Sequence, residues 1–239
     1  MYFEGLNITT EEYKNKTKIV HTAILPVGSF EQHSAHMCMG TDAIIATSIS
    51  EEVAKVTNSV CLCPIVYGVS EIHKSFSGTI YSNPRTFYEY IKDIVISISN
   101  GDIDNLLIVN GHGANWFALN KVCEETNELF KNVEVVQWWE ILKDNLFMSE
   151  ECSHAGAQEL SVLGYISKQY IREQLVADQI HSKDISILEC KDIFEVTQNG
   201  VIGLATSYDF KKGQITFERV VAALIIKIQC WEQENYEST

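Results

Sequence analysis

Along the chain, short runs of consecutive apolar residues alternate with longer stretches in which apolar positions recur every three or four residues. Lys18–Val27 reads as a buried strand. From Asp42 to Asn58, the residues Ile44, Ile45, Ile49, Val53 and Val56 fall on one face of a helix. Val60–Tyr67 returns to strand character and ends at Gly68. Asn83 and Pro84 open a helix, since proline is tolerated in a first turn, and it runs to about Ser99 before the turn signal Asn100-Gly101. Asn105–Asn110 is a continuous apolar strand of the kind buried on both faces of a parallel sheet. A helix over Trp116–Lys131, a strand over Val133–Trp139, and helices over His154–Tyr170 and Gln214–Glu234 follow. The stretch 176–213 is the least regular and predicts loops and short strands.

Strand and helix alternating in this order is the βαβ signature of an α/β fold, a mostly parallel sheet covered by helices. A length of 239 residues suits one such domain over 1–239. Apolar residues at 46% and charged residues at 21% are ordinary for a globular protein. The net charge of −14 leaves no basic face to neutralise phosphates, which argues against nucleic acid as a partner. No run reaches the roughly 18–20 apolar residues of a membrane span. The start Met1-Tyr2-Phe3-Glu4-Gly5 lacks a secretory pattern, so a cytoplasmic location without membrane contact is expected. The seven cysteines (Cys38, Cys61, Cys63, Cys123, Cys152, Cys190, Cys230) are scattered and read as free thiols in a reducing compartment. Cys61 and Cys63 alternate and are expected on one face of a strand.

Chemistry-bearing residues gather where strands should end, which is where open parallel sheets bind ligands. The first strand leads into Glu31, His33, His36 and Asp42, and the second into Glu71 and His73. The third leads into Asn110-Gly-His112-Gly-Ala-Asn115, and the fourth into Trp138, Trp139, His154 and Glu159. Imidazole and carboxylate without thiol suit zinc, manganese or ferrous iron. Glu31 and His33 are two apart, so extended backbone points them the same way. Asp42 precedes a helix, where a carboxylate could bridge two ions near the positive terminus. Gly111 and Gly113 would let the backbone turn sharply around His112. Plainer readings stand beside these: Trp138 and Trp139 as core or interface residues, Glu71 and His73 as solvated loop residues. Taken one at a time the motifs are weak, and their joint placement at successive strand ends carries the metal reading.

The run Leu25-Pro-Val-Gly-Ser-Phe-Glu31-Gln-His33-Ser-Ala-His36, with Gly40-Thr-Asp42, resembles the opening signature of the creatininase (creatinine amidohydrolase) family. Gly68-Val-Ser-Glu-Ile-His73 with Phe76-Ser-Gly-Thr-Ile80, Val109-Asn-Gly-His-Gly-Ala-Asn115 and His154-Ala-Gly-Ala-Gln-Glu159-Leu-Ser161 follow in the family's order. The resemblance implies a three-layer α/β/α sandwich and a homo-oligomer, often a hexamer. It places Glu31, His33, Asp42, His112 and Glu159 on metal-ligand positions for one or two divalent ions, with Asp42 bridging and zinc expected before manganese or iron. His154 falls on the proton-transfer histidine, so His154 and Glu159 are the implied catalytic residues. His36, Glu71, His73, Trp138 and Trp139 are expected to shape the substrate site.

This chain departs from the pattern at four places. Ala114 stands where creatininase itself has glutamate and the wider family glycine, Ser34 where the family has glycine, Met37-Cys38-Met39 where it has an apolar loop after His36, and Leu160 where it has threonine. These leave the ligands intact and the substrate open. The expected activity is metal-dependent cleavage of a C–N bond in a small amide, formamide or cyclic amide. The alternatives are cleavage of a modified or short peptide, hydrolysis of an oxidised sugar or lactone, and a non-catalytic assembly subunit. A wide groove beside the metals would favour peptides, and an enclosed one a small ring.

Overall fold

The computed structural model describes residues 4–179 and 191–237. Two short helices, α1 (Glu4–Asn7) and α2 (Thr10–Thr17), precede the core. It then runs β1 (Thr22–Val27), α3 (Thr41–Thr57), β2 (Val60–Cys61), α4 (Pro84–Ser99), β3 (Asn105–Asn110), α5 (Trp116–Thr126), β4 (Asn132–Gln137), α6 (Ala157–Ile166) and α7 (Phe210–Glu237). The four strands form one sheet in the order β2-β1-β3-β4, and every pair is parallel.

Alternate residues of the strands feed opposite faces. Ile24, Leu107, Val109 and Val136 join the cluster that includes α3, α6 and α7. Ala23, Leu25, Leu106, Ile108 and Val135 join the one formed with α4 and α5. Helices therefore cover both faces, giving the expected three-layer sandwich. Each fully buried Ile, Leu or Val contributes roughly 1.5–3 kcal/mol, so strands buried on both faces are the main source of stability.

The chain leaves β1 toward β2 on one side and returns to β3 on the other, so the winding reverses between β1 and β3. Val27, Asn110 and Gln137 are in register, so three strands end level around that crevice.

Several boundaries differ from the sequence expectation. The second strand is two residues long, because Pro26 and Pro64 both lack the N–H that the ladder needs. Pairing resumes only as the bridge from Val27 to Ile65, so Cys63 lies outside a strand while Cys61 is buried within one. The helix expected from His154 begins at Ala157, because Ala155 takes a left-handed φ of 55° that no helix accommodates. It ends at Ile166, with a separate 3-10 turn over Lys168–Tyr170. Helix α2 was not expected, yet Thr9 and Glu12 form the reciprocal capping box that its Thr-x-x-Glu sequence encodes. In the 176–213 stretch the described residues hold a 3-10 turn over Ile193–Glu195 and a bridge from Gln179 to Gly203. Residues 180–190, including Cys190, lie outside the described residues, and the other six cysteines are free thiols. Among the described residues, no helix is long and apolar enough to cross a membrane.

Candidate metal centre

The loops after β1 and β3 meet at the crevice and bring Glu31, His33, Asp42 and His112 together in the interior. Asp42 sits in the first turn of α3, as its place before a helix implied. Its Oδ1 lies 3.0 Å from His33 Nε2, and its Oδ2 lies 3.2 Å from His112 Nδ1. Glu31 Oε2 is also 3.2 Å from His112 Nδ1. Glu159, from the first turn of α6, reaches to 3.9 Å from His33 Nε2, and Ala155 N–H donates to its Oε2 at 2.8 Å. All five implied ligands are thus in one cluster.

These distances are short, but the groups do not hydrogen-bond one another. Both Glu31 oxygens, His33 Nε2 and Asp42 Oδ2 are buried without a hydrogen-bond partner. Leaving a polar atom orphaned in the interior costs about 1–3 kcal/mol, more if it is charged. Four in one place is the pattern of ligand atoms directed at common centres. Two groups, Glu31–Asp42–His112 and His33–His154–Glu159, each have ligand atoms within 4.8 Å of one another, and a third, Glu31–His73–His154, shares a residue with both. Imidazole orientation agrees with this: His33 Nδ1–H donates to the Glu31 carbonyl at 3.2 Å, and His112 Nε2–H to the Val69 carbonyl at 2.9 Å. Each ring's other nitrogen faces the cluster, where a metal-binding histidine presents it. The residues present fit a pair of divalent ions.

Without ions, the carboxylates and imidazoles compensate one another. Burial alone would depress His33, but Asp42 outweighs it and holds the ring at about 10. Burial likewise opposes charge on Asp42, yet His33 pulls its carboxyl down to about 2. His112 is raised well above the ordinary histidine value against burial, chiefly by Glu31. Glu159 is pushed up to about 7 by burial. His154 is held well below the ordinary value by burial and by His73 and His33, so it is a neutral base.

Loops outside the strand ends fix this geometry. Asn110 holds both sides of the His112 backbone, accepting from its N–H at 3.1 Å and donating to its carbonyl at 2.8 Å. Asn115 ties the loop after β1 to the loop after β2, donating to Gly28 O and accepting from Val69 N–H. Neither asparagine was singled out in the sequence, although both belong to a motif that was. Gly111 and Gly113 do not take positive φ, and the chain turns after His112 through a 3-10 turn over Gly113–Asn115. Gly111 is needed for close approach instead: a Cβ there would stand 2.2 Å from the Asp42 carbonyl oxygen.

Above the cluster lies a cavity of about 280 Å3 whose lining includes Glu31, Asp42, His73, His112, His154 and Glu159. Trp138 and Trp139 form one wall, packed edge to face at 5.9 Å. Trp138 is also core, 1% exposed, so both readings of it hold. His73 is buried beside Glu31, with Nε2 3.5 Å from Oε1. Two expected substrate residues are not brought to the cavity. Glu71 is half exposed on the outer side of its turn, 4.0 Å from Lys74, because a three-residue 3-10 turn points Glu71 and His73 apart. His36 is fully buried behind the site, where Nε2–H donates to the Ala155 carbonyl at 3.1 Å and supports the turn that carries His154.

A doubly wound α/β fold with a buried cluster of carboxylates and imidazoles at its switch point is the arrangement of a metal-dependent hydrolase. The chain belongs to the creatininase family, whose model, described as creatinine amidohydrolase, matches residues 6–228. It is 27% identical to creatinine amidohydrolase from Pseudomonas putida over 179 residues, covering 65% of this chain and 68% of that protein. It is also 27% identical over 220 residues to a mycofactocin precursor peptide peptidase from Mycobacterium ulcerans, covering 87% and 84%. A solved manganese creatininase superposes with a TM-score of 0.82 over 93% of this chain and 96% of that one, at 22% identity.

Proposed function

We propose that this protein hydrolyses the C–N bond of a small amide, formamide or cyclic amide. Glu31, His33, Asp42, His112 and Glu159 would hold one or two divalent ions, with Asp42 facing both positions. Zinc suits the thiol-free nitrogen and oxygen donors best, with manganese or ferrous iron as alternatives. Bound ions would supply Lewis acidity, making a water more acidic and a carbonyl more electrophilic. The observation that carries this reading is the set of four buried, unpartnered ligand atoms directly beneath a cavity.

The chain's own residues supply the rest. His154 borders the cavity as a neutral imidazole, able to take a proton and pass it to a departing nitrogen. Trp138, Trp139 and Ile72 offer apolar surface for the substrate body, and Ala114 leaves room where creatininase carries a glutamate. The cavity lies at the small end of ligand sites, which run from about 300 Å3 upward, and this favours a small amide. Peptide cleavage is the second reading, supported by similarity to the mycobacterial peptidase over most of both chains. A single domain, a cytoplasmic location and a homo-oligomer, with a hexamer as the specific expectation, complete the proposal.

The test is metal analysis of purified protein, followed by assay of metal-restored protein against small amides, formamides, lactones and short peptides. Stoichiometric metal with turnover of amides is expected. The mechanism is wrong if no metal binds stoichiometrically and Asp42→Ala and His112→Ala leave every activity unchanged.

A further inference from the structure

Gln32 stands between two ligands in sequence, yet its side chain lies behind His73 and His154, 5% exposed. Its amide is oriented from both ends: Ser34 N–H donates to Oε1 at 2.9 Å, and Nε2–H donates to the Gly200 carbonyl at 3.0 Å. Glycine at 200, with φ 85°, leaves the room this amide occupies, since a Cβ there would stand 1.9 Å from Gln32 Oε1. One N–H of Gln32 remains, with His73 Nδ1 at 3.1 Å and His154 Nε2 at 2.8 Å in reach. The Gln32 backbone carbonyl, which can only accept, lies 3.0 Å from His154 Nε2.

One placement of protons gives both the Gln32 carbonyl and His73 Nδ1 a donor, with Gln32 Nε2 and His154 Nε2 then meeting as two donors at 2.8 Å. The remaining Gln32 N–H donates to His73 Nδ1, so the His73 proton sits on Nε2, facing Glu31 Oε1 at 3.5 Å. His154 then carries its proton on Nε2 and donates it to the Gln32 carbonyl. The opposite choice, with the Gln32 N–H given to His154 Nε2, strips that carbonyl of its donor. In a neutral imidazole, the bond made by one nitrogen decides what the other can do.

We propose that Gln32 is a positioning residue that fixes the protons of His73 and His154, so that His154 presents a bare Nδ1 to the cavity. This rests on the proton-transfer role proposed above for His154, whose Nδ1 lies 3.6 Å from Glu31 Oε1. Glu31 binds ions and Gln32 binds the bases, so two adjacent residues divide the work between opposite sides of one backbone segment.

The test is long-range 1H–15N NMR of histidine rings in the zinc-loaded protein, wild type against Gln32→Glu and Gln32→Met. In the wild type, both His73 and His154 should carry the proton on Nε2. A carboxylate at 32 can only accept, so in Q32E the His73 proton should move to Nδ1. In Q32M, His73 should lose the bias and populate both tautomers, with zinc content unchanged in both variants. Against any substrate found, kcat should fall about 10- to 100-fold, the usual effect of removing a group that orients site histidines. A proton on His154 Nδ1 in the wild type, or an unmoved His73 proton in folded Q32E, overturns the proposal. If neither variant folds, the wild-type spectrum alone decides. Tautomers as stated without turnover of any amide would count against the proposed function and leave this assignment standing.

Discussion

His33 Nε2 lies 3.0 Å from Asp42 Oδ1, both side chains buried, with no hydrogen-bond alignment between them. The other Asp42 oxygen stands 3.2 Å from His112, so one carboxylate faces both candidate ion positions. Removing it should cost both ions, whereas removing a histidine should cost one. We expect Asp42→Ala to lose all bound metal and more than about 100-fold in activity, exceeding the effect of outer groups. His112→Ala should keep partial occupancy. Elemental analysis of both variants is decisive, and full metal content in Asp42→Ala would refute the bridging role.

His154 borders the cavity and makes no hydrogen bond to a ligand side chain. His154→Ala should lower kcat by about 10²–10⁴-fold, the range for a general acid–base group, at unchanged metal stoichiometry. If the metal leaves with the imidazole, His154 is a ligand instead.

Metal uptake should release protons. With no ion bound, His33 stays protonated up to about 10, and His112 is likewise raised. Ions must displace these protons, on the order of one to two per subunit near pH 7. Titration calorimetry in two buffers of different ionisation enthalpy should show it, and identical heats would count against it. Stability follows the same groups. The raised His33 contributes fully below its ordinary value of 6.5, and its contribution is lost as pH climbs through about 10. The depressed Asp42 contributes above 3.8, and its contribution is lost as pH falls through about 2. The metal-free Tm should therefore decline from pH 6.5 toward 10, while metal protection grows over the same interval.

Ser34 sits at φ 58°, the left-handed region that glycine adopts freely. A residue with a Cβ pays roughly 1–2 kcal/mol there, part of which glycine gives back in unfolded-chain entropy. Ser34→Gly should stabilise the protein by about 0.5–1 kcal/mol, or a Tm gain of roughly 2 °C at this size. Its backbone N–H to Gln32 Oε1 would be kept. A lower Tm by calorimetry would show that the serine is not strained.

Gly111 and Gly113 flank the same histidine but should respond oppositely. A Cβ on Gly111 would meet the backbone oxygen of Asp42 at 2.2 Å, so Gly111→Ala must push the start of α3 away. A loss of about 1–3 kcal/mol in urea unfolding, together with loss of metal, is expected. Nothing lies within 4 Å of a Cβ on Gly113, so Gly113→Ala should fold as well as the parent. Equal effects would undo the close-approach argument.

What the sequence determined by itself was whatever rests on local pattern. The two-sided apolar strand Asn105–Asn110 and the helix capped at Asn83 and Pro84 came out at their observed bounds, because burial pattern and capping chemistry are local. That Glu31, His33, Asp42 and His112 gather in one place was also legible, since a parallel sheet delivers the segments after its strands to one edge, and the family resemblance added Glu159 to them. The tertiary structure decided what depends on partners far along the chain. Glu71 and His73 are two residues apart, yet one faces solvent and the other the cluster, because a 3-10 turn separates their directions. Pairing with β1 shortened β2, and the fold turned His36 inward to hold Ala155. Gln32 drew its meaning from Gly200, 168 positions away, whose carbonyl orients the amide. Hydrophobic period and turn chemistry are written in neighbours, while hydrogen-bond satisfaction in the interior is settled only when distant segments meet.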